Sequence, residues 1–166
     1  MARKLPATLD YLRPFIVGDL VRLGSKADGG YVLPQRVLGG IDAVLSFGLA
    51  TDWSLEEQVA RLRPGIAIDV YDHTVGAKSF YRAAKSRSWK LLSGRTSFAD
   101  MRARWNTYTG YRRFFTGRQR HYAERVFNRR DNANDATLDI AFGRLGDARH
   151  VLLKVDIEGG EYRILP

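Results

Sequence analysis

The chain reads as an α/β protein: a parallel sheet with helices on both faces, preceded by an N-terminal β-hairpin. Two apolar runs, Ile41 to Phe47 and Ile66 to Tyr71, carry this prediction, because strands buried on both faces of a parallel sheet need short, nearly unbroken hydrophobic stretches. Between them lies a stretch of helical periodicity, so strand, helix and strand form a βαβ unit that should close right-handed. The run from His150 to Ile157 supplies a further core strand.

Leu20 to Gly24 and Tyr31 to Leu33 are β-prone and flank Asp28-Gly29-Gly30, which tolerates positive φ; this predicts the hairpin. The first core strand stops at Gly48. After the turn Leu49 to Asp52, the stretch Trp53 to Leu62 has Leu55, Val59 and Leu62 at helical spacing, with Ser54 and Glu57 placed as a capping box. Pro64-Gly65 ends that helix, and the second strand ends at Asp72-His73-Thr74. From Val75 to Arg120, aromatics interleave with Arg and Lys, which predicts helices with apolar anchors and basic outer faces. Tyr122 to Phe127 is expected as a third strand, Asp131 to Asp135 as a loop, Thr137 to Leu145 as a short helix and His150 to Ile157 as the fourth strand. The division is a hairpin-bearing extension over residues 1–40 and a sheet domain over 41–166.

Composition excludes several functions. The 166 residues suit one domain, and without cysteine there is no disulfide framework, thiolate metal site or thiol nucleophile. No signal-peptide core follows the basic N-terminus and no apolar run approaches the ~18 residues of a span, so a cytoplasmic chain without a membrane partner is expected. The formal charge is +9, concentrated between Lys78 and Arg130, where only Asp100 and Glu124 oppose the cations. Such a stripe can attract nucleic acid or another acidic partner, but a solvated helical surface is the favoured reading. His73, His121 and His150 lack metal-ligand spacing, and no metal site is expected.

Three constellations could carry chemistry. The turn Ser46-Phe47-Gly48-Leu49-Ala50-Thr51-Asp52 lies where open α/β sheets bind ligands, with Gly48 admitting close approach to the backbone, although no Gly-x-Gly-x-x-Gly fingerprint is present. Asp72 falls 24 residues after Gly48, where such folds place an acceptor for ribose hydroxyls; the alternative is a turn cap, and Asp69 is the rival acid. Lys154, Asp156 and Glu158 alternate along one strand face, which suggests a polar site at the strand's end or a structural Lys154–Asp156 ion pair.

These residues resemble a known family. Leu153-Lys154-Val155-Asp156-Ile157-Glu158-Gly159-Gly160-Glu161-Tyr162 is similar to the "LK(I/V)D(I/V)EG(A/G)E" motif of FkbM-type methyltransferases and the methyltransferase-like 24 group. Ser46 to Glu57 resembles the latter's "SFG(I)xxDWSF(E/D)" segment, Tyr71-Asp72-His73-Thr74 its "FDPT" strand end, and Asp28 to Leu33 its upstream hairpin. Leu55 and His73 depart from the usual aromatic and proline. The resemblance implies a Rossmann-like class I sheet and S-adenosyl-L-methionine bound at Phe47, Gly48, Asp52 and Asp72. It also implies O-methylation of a small-molecule acceptor, such as a sugar or secondary-metabolite hydroxyl, with Asp156, Glu158 and Lys154 as catalytic candidates. The family's sheet runs 3-2-1-4-5-7-6, so the chain is expected to be truncated after its fourth strand, leaving an apolar edge for a homo-oligomer to cover. The rival readings are a catalytically silent module that binds nucleic acid or an acidic partner through residues 78–130, and a nicotinamide-dependent oxidoreductase, which the missing glycines disfavour.

Overall fold

The computed structural model describes residues 16–26, 30–157 and 159–164. Strands β1 (Leu20–Gly24) and β2 (Gly30–Pro34) pair antiparallel, with Leu20 opposite Pro34 and Gly24 opposite Gly30; the expected turn residues 27–29 lie outside the described residues. A short helix α1 (Gln35–Gly40) leads into β3 (Ala43–Phe47), followed by α2 (Ser54–Leu62) and β4 (Ala67–Tyr71). Two long helices come next, α3 (Ala77–Leu92) and α4 (Phe98–Phe114), then β5 (Gln119–Tyr122). The chain continues through β6 (Arg125–Val126), β7 (Asp135–Ala136), α5 (Leu138–Gly143), β8 (Val151–Val155) and α6 (Glu161–Ile164).

The main sheet is parallel and ordered β5-β4-β3-β8, so the third, second, first and fourth core strands lie side by side. Side-chain alternation sends residues of each strand to opposite layers. Val44, Ile68 and Val70 pack against Leu55 and Val59 of α2, Leu23 of the hairpin, Phe80 of α3 and Tyr111 of α4. Leu45, Phe47 and Tyr71 face the other way, against Val126, Ala136, Ala141 of α5 and Ile164 of α6. Helices therefore cover both faces, as the apolar runs predict. The hairpin packs directly on α2, where Gly24 exchanges hydrogen bonds of 3.2 and 3.3 Å with the Gln58 amide. Strand β8 ends the sheet, and among the described residues it pairs with β3 alone.

Three expectations need correction. The third core strand is Gln119–Tyr122 rather than Tyr122 to Phe127; of that expected run Tyr122 ends β5, and Arg125–Val126 form the separate β6, paired with β7, which begins at the last residue of the predicted loop. The polar residues of β5 are held through partners: Arg120, itself partly exposed, forks onto the fully buried Asp69 at 2.7 and 2.8 Å, directly across the strand pair. The Ser54–Glu57 capping box is absent as well. Asp52 Oδ1 instead accepts from the Ser54 amide at 2.9 Å, and Glu57 accepts from the Trp53 indole at 3.1 Å. Among the described residues no helix is long and apolar enough to cross a membrane.

Candidate functional site

A cavity of about 520 Å³ opens at the carboxyl ends of β3, β4, β5 and β8. Parallel strands bring their C-terminal turns to one edge, and the turn after β3, the end of β4, the segment after β5 and the end of β8 all line it.

Gly48 forms the floor. Its φ is +88°, and a Cβ there would overlap the Asp156 carbonyl oxygen. Its amide donates to Tyr71 O at 3.0 Å, while Asp156 N donates to Phe47 O at 2.9 Å. The glycine is thus required by the backbone of β8's end; the space its missing side chain leaves is filled by protein and is not open to a ligand. Phe47 is fully buried in the core, edge-on to Tyr71 at 5.7 Å, and does not line the cavity.

Asp72 clasps this turn. Its Oδ2 accepts from the Leu49 and Ala50 amides, both at 2.9 Å, and its Oδ1 accepts from the Thr74 amide at 2.8 Å and the Thr74 hydroxyl at 2.5 Å. A carboxylate has about four acceptor positions, so this one is saturated. Burial works to raise its pKa, but those four bonds outweigh it and hold the carboxyl below its ordinary value. The turn-cap reading and the ligand reading meet here, because any hydroxyl bound by Asp72 must displace one of these donors. Asp52 also lines the cavity. Burial pushes its pKa up, while bonds from Ser54 and Ser25 and the nearby Lys154 ammonium bring it below the ordinary range.

Lys154 and Asp156 are not an ion pair. The Lys154 ammonium donates to Gly48 O at 2.9 Å, lies 3.4 Å from Glu56 Oε1, and sits 5.7 Å from the Tyr31 ring centroid. Glu56 reaches it from α2, fully buried, and also accepts from Ser46 Oγ at 2.6 Å, while its Oε2 has no hydrogen-bond partner among the described residues. Ser46 and Lys154 are register partners on adjacent strands, and Lys154 and Glu56 line the cavity. Asp156 is exposed at the rim, where its Oδ2 accepts from the Tyr31 hydroxyl at 3.0 Å. Glu158 lies outside the described residues.

His121 braces the same edge from β5. Its Nε2 lies 3.1 Å from Asp72 O, which can only accept, so that nitrogen carries the proton and Nδ1 accepts from Tyr111 OH at 2.6 Å. Burial lowers its pKa despite the Asp72 carbonyl and carboxylate, consistent with a neutral ring. Among the described residues no group of three or more His, Asp or Glu is placed to hold a metal ion.

The structure therefore brings Gly48, Asp52, Asp72, Lys154 and Asp156 to one cavity and leaves Phe47 in the core. Sequence reasoning missed Glu56, Tyr31 and His121. Only Glu56 carried a local signal, since it follows Leu55 and precedes Val59 by three on the buried face of α2. Compared with models of protein families, with curated proteins and with solved structures, the chain matches none.

Proposed function

We propose that this chain is a class I S-adenosyl-L-methionine-dependent methyltransferase domain of the FkbM type, acting on a hydroxyl of a small-molecule acceptor such as a sugar or secondary metabolite. The observation that carries the reading is the cavity at the carboxyl ends of a parallel sheet ordered β5-β4-β3-β8, with the Gly48 turn and Asp72 on one side and Asp156 on the other. That order agrees with the first four positions of the Rossmann-like sheet implied by the resemblance. The volume suits a cofactor, and the acids Asp52, Asp72 and Asp156 suit a ligand rich in hydroxyl and ammonium donors.

When bound, the cofactor's sulfonium supplies an electrophilic methyl group, so the protein must mainly align the acceptor and remove its proton. Asp72 and Asp52 hold the hydroxyl-bearing part of the ligand, with Asp72 releasing turn amides in exchange. Asp156, oriented by Tyr31, positions the acceptor hydroxyl and takes its proton. Lys154 supports this arrangement from below, since its hydrogens already serve Gly48 O and Glu56.

Calorimetric titration with S-adenosyl-L-methionine and S-adenosylhomocysteine tests the proposal. Both ligands should bind, and Asp72→Ala should weaken both by about tenfold or more, equivalent to ~1.4 kcal/mol, with a thermal melt confirming that the variant is folded. No heat with either ligand, or affinities indifferent to Asp72, contradicts the reading.

A further inference from the structure

The net charge of this chain resides in one substructure. Residues 77–118, spanning α3, α4 and the approach to β5, hold eleven Lys and Arg against the single acid Asp100, a local charge of +10. The rest of the chain holds the remaining sixteen cations and seventeen acids, a charge of −1.

The helix pair joins the core at its base, through Phe80 and Tyr111 with Ala77, Tyr108 and Phe114 packed beside them; none of residues 85–110 is buried. Its shaft is held by its own contacts, the Trp105 indole donating to Ser88 at 3.0 Å and Tyr81 meeting the Trp105 and Tyr108 rings. At the far end Gly94, with φ +68°, reverses the chain. Trp89, Leu92 and Phe98 cluster in sequence around that reversal, 66%, 80% and 62% exposed. Lys78, Arg82, Lys85, Trp89 and Leu92 follow one another at steps of three and four residues, so one exposed face of α3 runs from cations to an apolar tip. Lys90, Arg95 and Arg102 flank the tip, and none of these six cations forms an ion pair among the described residues.

We infer that the α3–α4 pair is a peripheral docking element for an anionic lipid surface, with Trp89, Leu92 and Phe98 entering the headgroup boundary and the cations of the shaft meeting lipid phosphates and carboxylates. Trp, Leu and Phe on one side with Lys and Arg beside them is the composition that binds in the interface plane without spanning it. A phosphate-chain partner needs stacking platforms interleaved with cations along a groove. Here the three most exposed large apolar groups of the helix pair, Trp89, Leu92 and Phe98, gather at one end, and Leu92 has no face to stack on. The inference is independent of the methyltransferase reading and stands if that reading fails.

Flotation of the whole protein with phosphatidylcholine vesicles, with and without phosphatidylserine, tests it. Binding is expected only with phosphatidylserine and should weaken as salt rises. A variant carrying Trp89→Ser, Leu92→Ser and Phe98→Ser should lose about tenfold or more in partitioning, as should one carrying Arg82→Glu and Lys85→Glu. These side chains are exposed, so both variants should melt like the wild type. Failure to bind phosphatidylserine vesicles overturns the inference. So does binding undiminished by the tip substitutions, which marks a purely electrostatic surface of the kind nucleic acid would use.

Discussion

Glu56 is fully buried with one oxygen shared between Ser46 and Lys154 and the other without a partner among the described residues. A carboxylate in that position persists only because the Lys154 ammonium offsets its lost hydration. Lys154→Met should therefore cost ~3–5 kcal/mol, and adding Glu56→Gln should return much of it. Denaturant unfolding of both single variants and the double variant measures this coupling, and additive losses would show that the two groups do not interact. At this scale the polar face of β8 was legible, since Lys154 and Asp156 share it by alternation. The partner was not, because Glu56 lies 98 residues away on another element. Gly48 was legible as a point of close approach to the backbone, but the group that approaches it is the Asp156 carbonyl from the end of the neighbouring strand rather than a ligand.

The joint between β4 and β5 combines a charged pair with the stacked rings of Tyr71 and Tyr122. Asp69 is fully buried and Arg120 forks onto it, with 42% of the Arg120 side chain exposed. Burial raises the Asp69 pKa and Arg120 pulls it back. A raised folded-state pKa favours folding below the unfolded value and loses that contribution as pH rises, so the ionised Asp69 depends on Arg120 at neutral pH. Arg120→Leu should then cost about 2 kcal/mol at neutral pH, less than a fully buried pair because solvent already screens the arginine. The loss should shrink as pH falls through the raised Asp69 pKa, where the carboxyl takes a proton. Thermal melts of wild type and variant across this range check it, and a pH-independent difference would contradict it. This pair also explains the misplaced third strand. Gln119-Arg120-His121-Tyr122 has the polarity of a loop, and only tertiary partners, Asp69 for Arg120 and Tyr111 for His121, make it a strand. Strands β3, β4 and β8 are apolar runs interrupted only by Ser46, Asp69 and Lys154, and were readable directly.

Across the whole molecule, the two sides of the chain's character separate. A nearly neutral α/β body carries the cavity at its strand ends, and a cationic helix pair stands on one of its faces. The body's order follows from alternating apolar runs and helices, so its layers were legible. The path of residues 75–130 was less so, because aromatic and basic residues in alternation indicate helices without fixing where they pack. The central claim is that the cavity between the Gly48 turn and the Asp156 end of β8 is the cofactor site. Backbone amide shifts during titration with S-adenosylhomocysteine test it most directly. Saturable changes centred on Gly48 to Asp52, Asp72 to Thr74 and Asp156 to Gly160 are expected. No change, or changes confined to α3 and α4, would contradict it.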